Sequence, residues 1–413
     1  MTQAQIRRLK GACYTTNISM SVVGNLSPVL FLTFRTLYGI SYSLLGLLVL
    51  INFVTQLTVD LIFSFFSHKF NIPKVVKMTP ILTVIGLAVY AIWPFILPDA
   101  VYAGLVIGTV IFSAASGFCE VLISPVIAAI PSDDPDREMS KLHSIYAWGV
   151  VGVILISTLF LLALGNGHWQ WLALLFALIP LTSAILFAGA CIPDMATPER
   201  ASGALQLLKN KGLLLCVAAI FLGGAAECTM AQWSSGYLEQ ALGIPKVWGD
   251  IFGVAFFSVM LGLGRSLYAK MGKNIGRVLF ISAIGATLCY LLTAITPFPV
   301  LGLITCALTG FCTAMLWPGN LIVASERFPQ GGVFIYAMMA AGGDLGASVG
   351  PQLVGLITDG VIANPAAAEI ASSLSLIPEQ LGMKLGMLVG MLFPLIAIPL
   401  YLHNWKGKQN TTT

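Results

Sequence analysis

The sequence predicts an all-α membrane protein with twelve transmembrane helices in two six-helix bundles. Hydrophobic residues make up 57% of the 413-residue chain and charged residues only 9%, and the mean hydropathy is +0.90. A soluble domain is about 25% charged, so a globule this apolar would not cover its own surface. Long windows also lack charge: no Asp, Glu, Lys or Arg lies between Lys141 and Asp194 or between Arg277 and Glu326. Because a helix crosses a bilayer with about 20 apolar residues, each window holds two crossings.

Each predicted span is an apolar run long enough to cross a bilayer as a helix. A transmembrane barrel would instead show ~10-residue segments of alternating polarity, and the sequence has no such pattern. The predicted spans cover residues 11–34, 44–66, 76–97, 100–130, 142–164, 169–192, 212–237, 248–269, 278–296, 299–324, 332–358 and 381–402.

The loops between these spans are alternately rich and poor in Lys and Arg. An odd number of spans would break this alternation, so the loop charges test the count of twelve. Eighteen of the 21 Lys and Arg residues fall on one side, whereas Arg35, Lys246 and Lys384 fall on the other. Since basic loops stay in the cytoplasm, we expect both termini to be cytoplasmic in a multi-pass protein of the inner (plasma) membrane. The basic residues lack interleaved aromatics, so we expect no nucleic-acid partner. We interpret the first apolar run as a helix rather than a removable signal, because it has no small-residue cleavage site.

An internal repeat divides the spans into two sets of six. The fourth span recurs in the tenth at an offset of 193 residues, with Gly117, Phe118, Cys119 and Pro125 matched by Gly310, Phe311, Cys312 and Pro318. The same offset carries Ala147 and Gly149 of the fifth span onto Ala340 and Gly342 of the eleventh. An even number of intervening spans gives both copies the same orientation, which is a parallel repeat. We therefore predict an N-terminal bundle over 1–192, a cytoplasmic linker over 193–211 and a C-terminal bundle over 212–413.

Four acidic residues lie well inside predicted spans, where an ionisable group costs about 3 kcal/mol and points to a functional site. Burial disfavours the charged form of a carboxyl group, so we expect Glu120 to carry a coupling proton; the alternative is a permanently protonated Glu that hydrogen-bonds another helix. Asp60 lies nearer the cytoplasmic end and is assigned to a gate. Glu227 and Asp344 are assigned to substrate contact, with structural pairing as the alternative.

Amides and aromatic rings also lie within the predicted spans. Amides hydrogen-bond hydroxyl groups and flat rings stack on the apolar faces of sugars, so this mixture favours a sugar or polyol as substrate. The alternative for the Trp and Tyr residues is an interfacial belt, although Trp317 is too deep in its span for that. The remaining substrate-binding candidates are Asn25, Asn52, Gln56, Tyr146, Trp148, Gln232, Trp233, Trp317 and Asn320.

Enzyme signatures are missing from the sequence. It has no P-loop Gly-Lys-Ser/Thr run and no His–Glu metal spacing, and the dinucleotide-like start at Gly262 and Gly264 follows no strand. The eight cysteines show neither a disulfide framework nor zinc spacing. We therefore expect no enzymatic activity, no cofactor and no metal.

These motifs resemble the major facilitator superfamily over nearly the whole chain and, within it, the fucose-permease-like branch of sugar–proton symporters. The resemblance is carried by Gly117, Glu120 and Pro125, by Glu227, Trp233 and Tyr237, by Gly264 and Arg265, and by Pro318, Gly342, Gly343, Gly346, Gly350 and Pro351. Two positions depart from the family pattern. The loop after the second span lacks the Asp and Arg of the usual cytoplasmic latch, and the first span carries no acid between Gly11 and Phe34.

The resemblance implies the major facilitator fold and a monomeric secondary transporter in the lipid bilayer. It would import a small sugar or polyol with a proton by alternating access, with Arg265 serving the cytoplasmic latch. The runner-up function is export of amphipathic or drug-like compounds, since 23 Phe and 14 Met suit an adaptable apolar cavity. A third possibility is a receptor or scaffold that keeps the fold without transport.

Overall fold

The protein is all-α in its computed structural model, which describes residues 1–66, 69–131, 135–193, 210–271, 274–328 and 332–409. The first half contains α1 Gln3–Val29, α2 Phe31–Tyr38, α3 Tyr42–Phe66, α4 Ile72–Ile96, α5 Val101–Ala129, α6 Pro135–Leu164 and α7 Trp169–Ala188. The second half contains α8 Lys211–Leu242, a single turn Lys246–Trp248, a π-helical stretch Gly249–Ala255, α9 Phe256–Met271, α10 Ile275–Ile295, α11 Pro299–Thr313, α12 Pro318–Arg327, α13 Gly332–Ile362, α14 Pro365–Ser373 and α15 Pro378–Gln409.

The membrane-spanning helices follow the predicted spans. Within the described ranges, ten helices are long and apolar enough to cross a bilayer, or eleven if the bent pair α1 and α2 forms one span. A shorter apolar helix, Trp148–Leu164, lies at the fifth predicted span. Their outer faces are apolar too: Leu178 and Ile185 of α7 are 54% and 61% exposed, as expected where lipid rather than water surrounds a helix. The protein is a multi-pass membrane protein.

The chain divides into two compact units. Unit 1 consists of Met1–Tyr38 and Ile51–Ala201, and unit 2 of Gly39–Leu50 and Ser202–Thr413. The first residues of α3 therefore group with unit 2, although the rest of that helix belongs to unit 1. Most of the linker predicted over 193–211 lies outside the described residues.

Two interruptions of the helices have causes in the sequence. The α1–α2 pair bends by 45° at Leu30, two residues after Pro28. The tenth span breaks between Thr313 and Pro318. Proline has no N–H to donate and its ring clashes with the carbonyl of the residue four positions earlier, so Pro318 releases the carbonyl of Ala314 from the helical hydrogen-bond pattern.

The repeat seen in the sequence also appears in the packing inside each unit. In unit 1, a Cβ built on Gly117 of α5 would lie 3.0 Å from Val59 Cβ of α3, so the fourth span packs closely on the second. In unit 2, Gly310 of α11 packs against the carbonyl of Phe257, so the tenth span meets the eighth in the same way. Small residues of this kind let membrane helices approach at backbone distance.

The fifth and eleventh spans repeat this relationship with the first and seventh. A Cβ on Gly149 of α6 would lie 2.6 Å from Ser21 Oγ of α1, and one on Gly342 of α13 would lie 2.8 Å from Val217 Cγ1 of α8. The two units thus use matched glycines at matched helix crossings.

Candidate functional site

Three polar side chains of unit 1 form a hydrogen-bonded cluster between α3 and α5. Gln56 Nε2 donates to Asn52 Oδ1 over 3.1 Å, one helical turn away on α3. Ser113 Oγ of α5 donates to the same Asn52 oxygen. The three residues are 8%, 6% and 0% exposed, respectively. The structure therefore brings together two amides predicted as substrate contacts and adds a serine that the sequence analysis missed.

The close approach of α3 and α5 at Gly117 places two acids side by side one turn further along each helix. The carboxylate oxygens of Asp60 and Glu120 lie within 4.8 Å of one another. Asp60 is half-buried and its Oδ1 accepts no hydrogen bond from any described residue, whereas Glu120 is exposed. The sequence separated these residues into a gate and a proton carrier, but inside unit 1 they form one pair.

The candidates on α1 and α6 lie at a different helix crossing. Asn25 Nδ2 donates to the Ser21 carbonyl of its own helix over 2.9 Å, and Ser21 Oγ donates to the Tyr146 carbonyl over 2.8 Å. Tyr146 is 37% exposed and Trp148 is 73% exposed. An indole this open on a membrane helix fits the alternative assignment of Trp148 to an interfacial or lipid-facing position.

In unit 2, an ion pair joins the seventh and eighth spans. Arg265 Nη2 of α9 lies 3.3 Å from Glu227 Oε1 of α8. Arg265 Nε donates over 3.1 Å to the carbonyl of Ala314, which Pro318 has freed from the helix. The side chain of Arg265 is 44% exposed and that of Glu227 only 14%, and Glu227 Oε2 accepts no hydrogen bond from the described part of the chain. In this ion pair, both side chains keep polar atoms that can form further hydrogen bonds.

Trp317 lies inside the break of the tenth span, directly before Pro318, and fits between two glycine-containing helices. A Cβ on Gly343 of α13 would lie 2.5 Å from Trp317 Cη2, and one on Gly224 of α8 would lie 3.0 Å from Trp317 Cζ3. The indole is half-buried. The next residue on α13, Asp344, is 4% exposed, which places a carboxyl group and an aromatic ring at the same level of unit 2.

The other unit 2 candidates make contacts to neighbouring helices. Asn320 is 1% exposed, and its Nδ2 donates to Tyr401 Oη over 2.8 Å and to the Leu316 carbonyl over 2.6 Å. Trp233 is 1% exposed and its Nε1 donates to the Pro351 carbonyl over 2.9 Å. Gln232 is 9% exposed. These bonds occupy the amide N–H groups of Asn320 and the indole N–H of Trp233, so neither donor is left for a substrate.

One charged group escaped the sequence analysis because it lies just past the end of a predicted span. Asp359 of α13 accepts hydrogen bonds from the backbone N–H groups of Tyr42 and Ser43, at 3.1 and 2.7 Å. The available signal was Ser41 directly before an apolar run, which is typical of a helix start. Such a start has unpaired N–H groups that attract a carboxylate, but the sequence does not identify which acidic residue binds them.

The chain matches the family model described as Major Facilitator Superfamily over residues 12–351. Membrane protein MosC of Rhizobium meliloti is 24% identical over 335 residues, which cover 79% of this chain and 78% of MosC. The uncharacterized MFS-type transporter YtbD of Bacillus subtilis (strain 168) is 25% identical over 164 residues, or 38% of this chain. The match with YtbD spans 41% of that protein.

Solved transporter structures share the fold. A mutant of the nucleoside transporter NupG superposes with a TM-score of 0.73 at 12% identity and covers 97% of this chain and 100% of that chain. A bacterial homolog of the human lysosomal transporter Spinster, inward-facing and unoccupied, gives 0.70 at 16% identity and covers 98% of each chain. A D-xylose–proton symporter gives 0.66 at 15% identity, over 96% of this chain and 98% of that chain. At these identities the likeness shows the fold.

Proposed function

Because the chain belongs to the Major Facilitator Superfamily, we propose that this transporter imports a small polar solute, a sugar or polyol, together with a proton. It is a membrane transporter and not an enzyme. Its place is the inner (plasma) membrane, where it acts as a monomer with both termini in the cytoplasm. The charge split between the loops supports this topology.

The Asp60–Glu120 pair carries the proposal of proton coupling. Two carboxylates within 4.8 Å repel one another when both are ionised, which favours one proton bound to the pair. No described Lys or Arg forms a salt bridge with either acid. The family pattern places a second acid on the first span, and in this chain Asp60 on the second span supplies that group. Glu120 remains the proton carrier, and Asp60 becomes its partner.

The uncharged polar groups support a solute rich in hydroxyl groups. The Asn52–Gln56–Ser113 cluster offers amide and hydroxyl groups in unit 1, and Trp317 offers a flat ring in unit 2. The nucleoside transporter and the D-xylose–proton symporter that share this fold are named for solutes of that kind, which agrees with the fucose-permease-like motifs. Glu227, Arg265 and Asp344 add charged groups in unit 2 that can bind solute hydroxyls.

A ligand screen followed by transport in liposomes tests this function. The purified protein is screened for thermal stabilisation by sugars, polyols and nucleosides against lipophilic cations. Hits are then tested for counterflow and for uptake driven by an inward pH gradient. Stabilisation by a sugar or polyol with pH-driven uptake is the expected result. Stabilisation by lipophilic cations alone would favour the drug-like exporter, and ligand binding without counterflow would favour the scaffold.

A further inference from the structure

Two of the eight free cysteines meet where the ninth and tenth spans pack together in unit 2. The Cys312 thiol of α11 donates a hydrogen bond to the sulfur of Cys289 on α10. The Thr309 hydroxyl, about one turn earlier on α11, is hydrogen-bonded to the same sulfur. The two cysteines lie 23 positions apart in the sequence, so it is the packing of the two helices that brings them together.

The register of α10 against α11 fixes this thiol pair. Thr293 Oγ1 of α10 donates to Thr305 Oγ1 of α11 over 2.7 Å. Two turns earlier on α10, a Cβ built on Gly285 would lie 2.8 Å from Cys312 Sγ. Gly285, Cys289 and Thr293 follow one another at intervals of four residues and so share one face of α10. Because a disulfide needs two closely spaced backbones, the close crossing at Gly285 favours a bond between the two sulfurs.

The thiol pair lies within the membrane-spanning part of unit 2, beside a surface that faces lipid. Both cysteines belong to the charge-free window that holds the ninth and tenth spans. Cys289 is 8% exposed and Cys312 is half-buried. Their neighbours Leu288 and Phe311 are 53% and 36% exposed, as expected of lipid-facing side chains. Since a charged group is costly at this depth, a reagent that reaches the pair from lipid is small and uncharged.

Hydrogen peroxide can join two such thiols without leaving an ion in the bilayer. The Cys289 sulfur attacks one peroxide oxygen, the O–O bond breaks, and the thiol proton leaves with the departing hydroxide as water. Cys289 is then a sulfenic acid. The Cys312 sulfur attacks the Cys289 sulfur, the S–O bond breaks, and the Cys312 proton leaves with the hydroxide as a second water. The two sulfurs together lose two electrons, which reduce the peroxide to water.

We propose that Cys289 and Cys312 are a redox modification site, at which hydrogen peroxide or a similarly small neutral hydroperoxide forms a disulfide between the ninth and tenth spans. Cys312 lies directly before Thr313, where α11 ends, and Arg265 binds the carbonyl of the residue after that, Ala314. The disulfide fastens the end of α11 to α10 beside this break, and a dithiol reductant releases it. The site is independent of the proposed solute and proton coupling.

Thiol counting on the full-length protein tests the site. Cys191→Ser is introduced first, because Cys191 is exposed and could crosslink two molecules. The purified protein is treated with hydrogen peroxide, denatured, alkylated with a maleimide and weighed by mass spectrometry. The oxidised protein is expected to carry two fewer maleimides than the untreated protein, and dithiothreitol applied before alkylation should restore both.

Cys306→Ala is the matched control, because Cys306 is also a buried cysteine of α11 but hydrogen-bonds Thr293 instead. This variant is expected to retain the reversible loss of two thiols. Cys289→Ala and Cys312→Ala are each expected to abolish it. An unchanged thiol count after oxidation of the parent protein, or a reversible loss of two thiols that persists in either of these two variants, would overturn the site.

Peptide mapping provides a second measurement that needs no alanine variant, should one of them fail to insert. Proteolytic cleavage after Tyr290 and Phe298 places Cys289 and Cys312 in different peptides. After oxidation, a covalent link between these two peptides is expected, and reduction should separate them. Oxidised protein in which the two peptides stay unlinked, or in which Cys289 is joined to another cysteine, would contradict the proposal. Because neither measurement uses a solute, failure of the proposed sugar–proton transport would not alter the result.

Discussion

Arg265 Nη2 lies 3.3 Å from Glu227 Oε1, and the same guanidinium donates through Nε to the Ala314 carbonyl at the break in the tenth span. The guanidinium therefore links the seventh, eighth and tenth spans inside unit 2. Its position depends on Pro318, since the Ala314 carbonyl would otherwise accept within the helix. The residue assigned to a cytoplasmic latch from the sequence has its described contacts within the span.

The first prediction concerns this ion pair. Arg265→Ala leaves Glu227 in an apolar setting without its cation, so we expect the free energy of unfolding to fall by about 1–3 kcal/mol. Adding Glu227→Gln should recover part of the loss, because the amide carries no charge. A double-mutant cycle in detergent, read by denaturant unfolding, should give a coupling of about 0.5–3 kcal/mol. Strictly additive effects would show that the pair makes no energetic contribution.

The second prediction concerns Glu120 and proton coupling. A gradient of one pH unit supports about tenfold solute accumulation when one proton accompanies each solute. In Glu120→Gln the side chain is permanently neutral, so we expect solute exchange to survive. The pH gradient should then no longer drive accumulation, and the internal solute concentration should equal the external one. Exchange and accumulation are measured in the same proteoliposomes.

The matched variant for Glu120 is Asp60→Asn, which removes the neighbouring charge but leaves Glu120 able to titrate. We expect Asp60→Asn to retain accumulation and to shift its pH dependence. Full pH-driven accumulation by Glu120→Gln would show that Glu120 does not carry the coupling proton and would leave Glu227 or Asp344 as the next candidates.

The third prediction separates two asparagines that the sequence treated alike. Asn320 donates to Tyr401 Oη and to the Leu316 carbonyl, so Asn320→Ala should lower the melting temperature and leave the apparent solute affinity unchanged. Asn52 belongs to the polar cluster with Gln56 and Ser113, and Asn52→Ala should weaken the apparent affinity roughly tenfold, by about 1.4 kcal/mol. Melting curves and solute titrations of both variants check this. If instead Asn320→Ala weakened the solute affinity and Asn52→Ala lowered only the melting temperature, the roles of the two asparagines would be exchanged.

The fourth prediction uses helix packing in unit 2. Gly346 of α13 packs against the Phe221 carbonyl of α8, where a Cβ has no room. Gly346→Ala is expected to reduce the free energy of unfolding by about 1–3 kcal/mol through overpacking. Gly262 of α9 has open space around a built Cβ, so Gly262→Ala should be neutral or stabilising by about 0.4–1 kcal/mol. Equal stability of the two variants would contradict the close packing.

The helices and their repeat could be predicted from the sequence because both rest on local signals. Apolar runs and loop charge gave the spans, and the offset between Gly117 and Gly310 correctly indicated equivalent helix contacts. Partnerships between spans could not be predicted in this way. Asp60 and Glu120 lie 60 positions apart in the sequence, and only the packing at Gly117 determines that they meet on the same level.

Some local features also lacked a readable signal. Pro318 stands inside the tenth predicted span, but the sequence did not show that Arg265 would bind the carbonyl that this proline frees. The π-helical stretch Gly249–Ala255 has no distinctive composition. Asp359 lies one residue past the eleventh predicted span, and its hydrogen bonds go to a helix start more than 300 positions earlier.

The paired glycine contacts have a consequence for how the two copies diverged. Gly117 and Gly310 set the distance between the second and fourth helices of each copy through close contact, so the longer side chains beside the crossing do not set it. In one copy Asp60 and Glu120 lie within about one turn of this crossing, whereas in the other Thr313 stands at the offset from Glu120 and Arg265 lies eight residues beyond Phe257. Duplication therefore passed on a spacing rather than a chemistry, and the side chains beside each crossing could diverge without loss of the architecture.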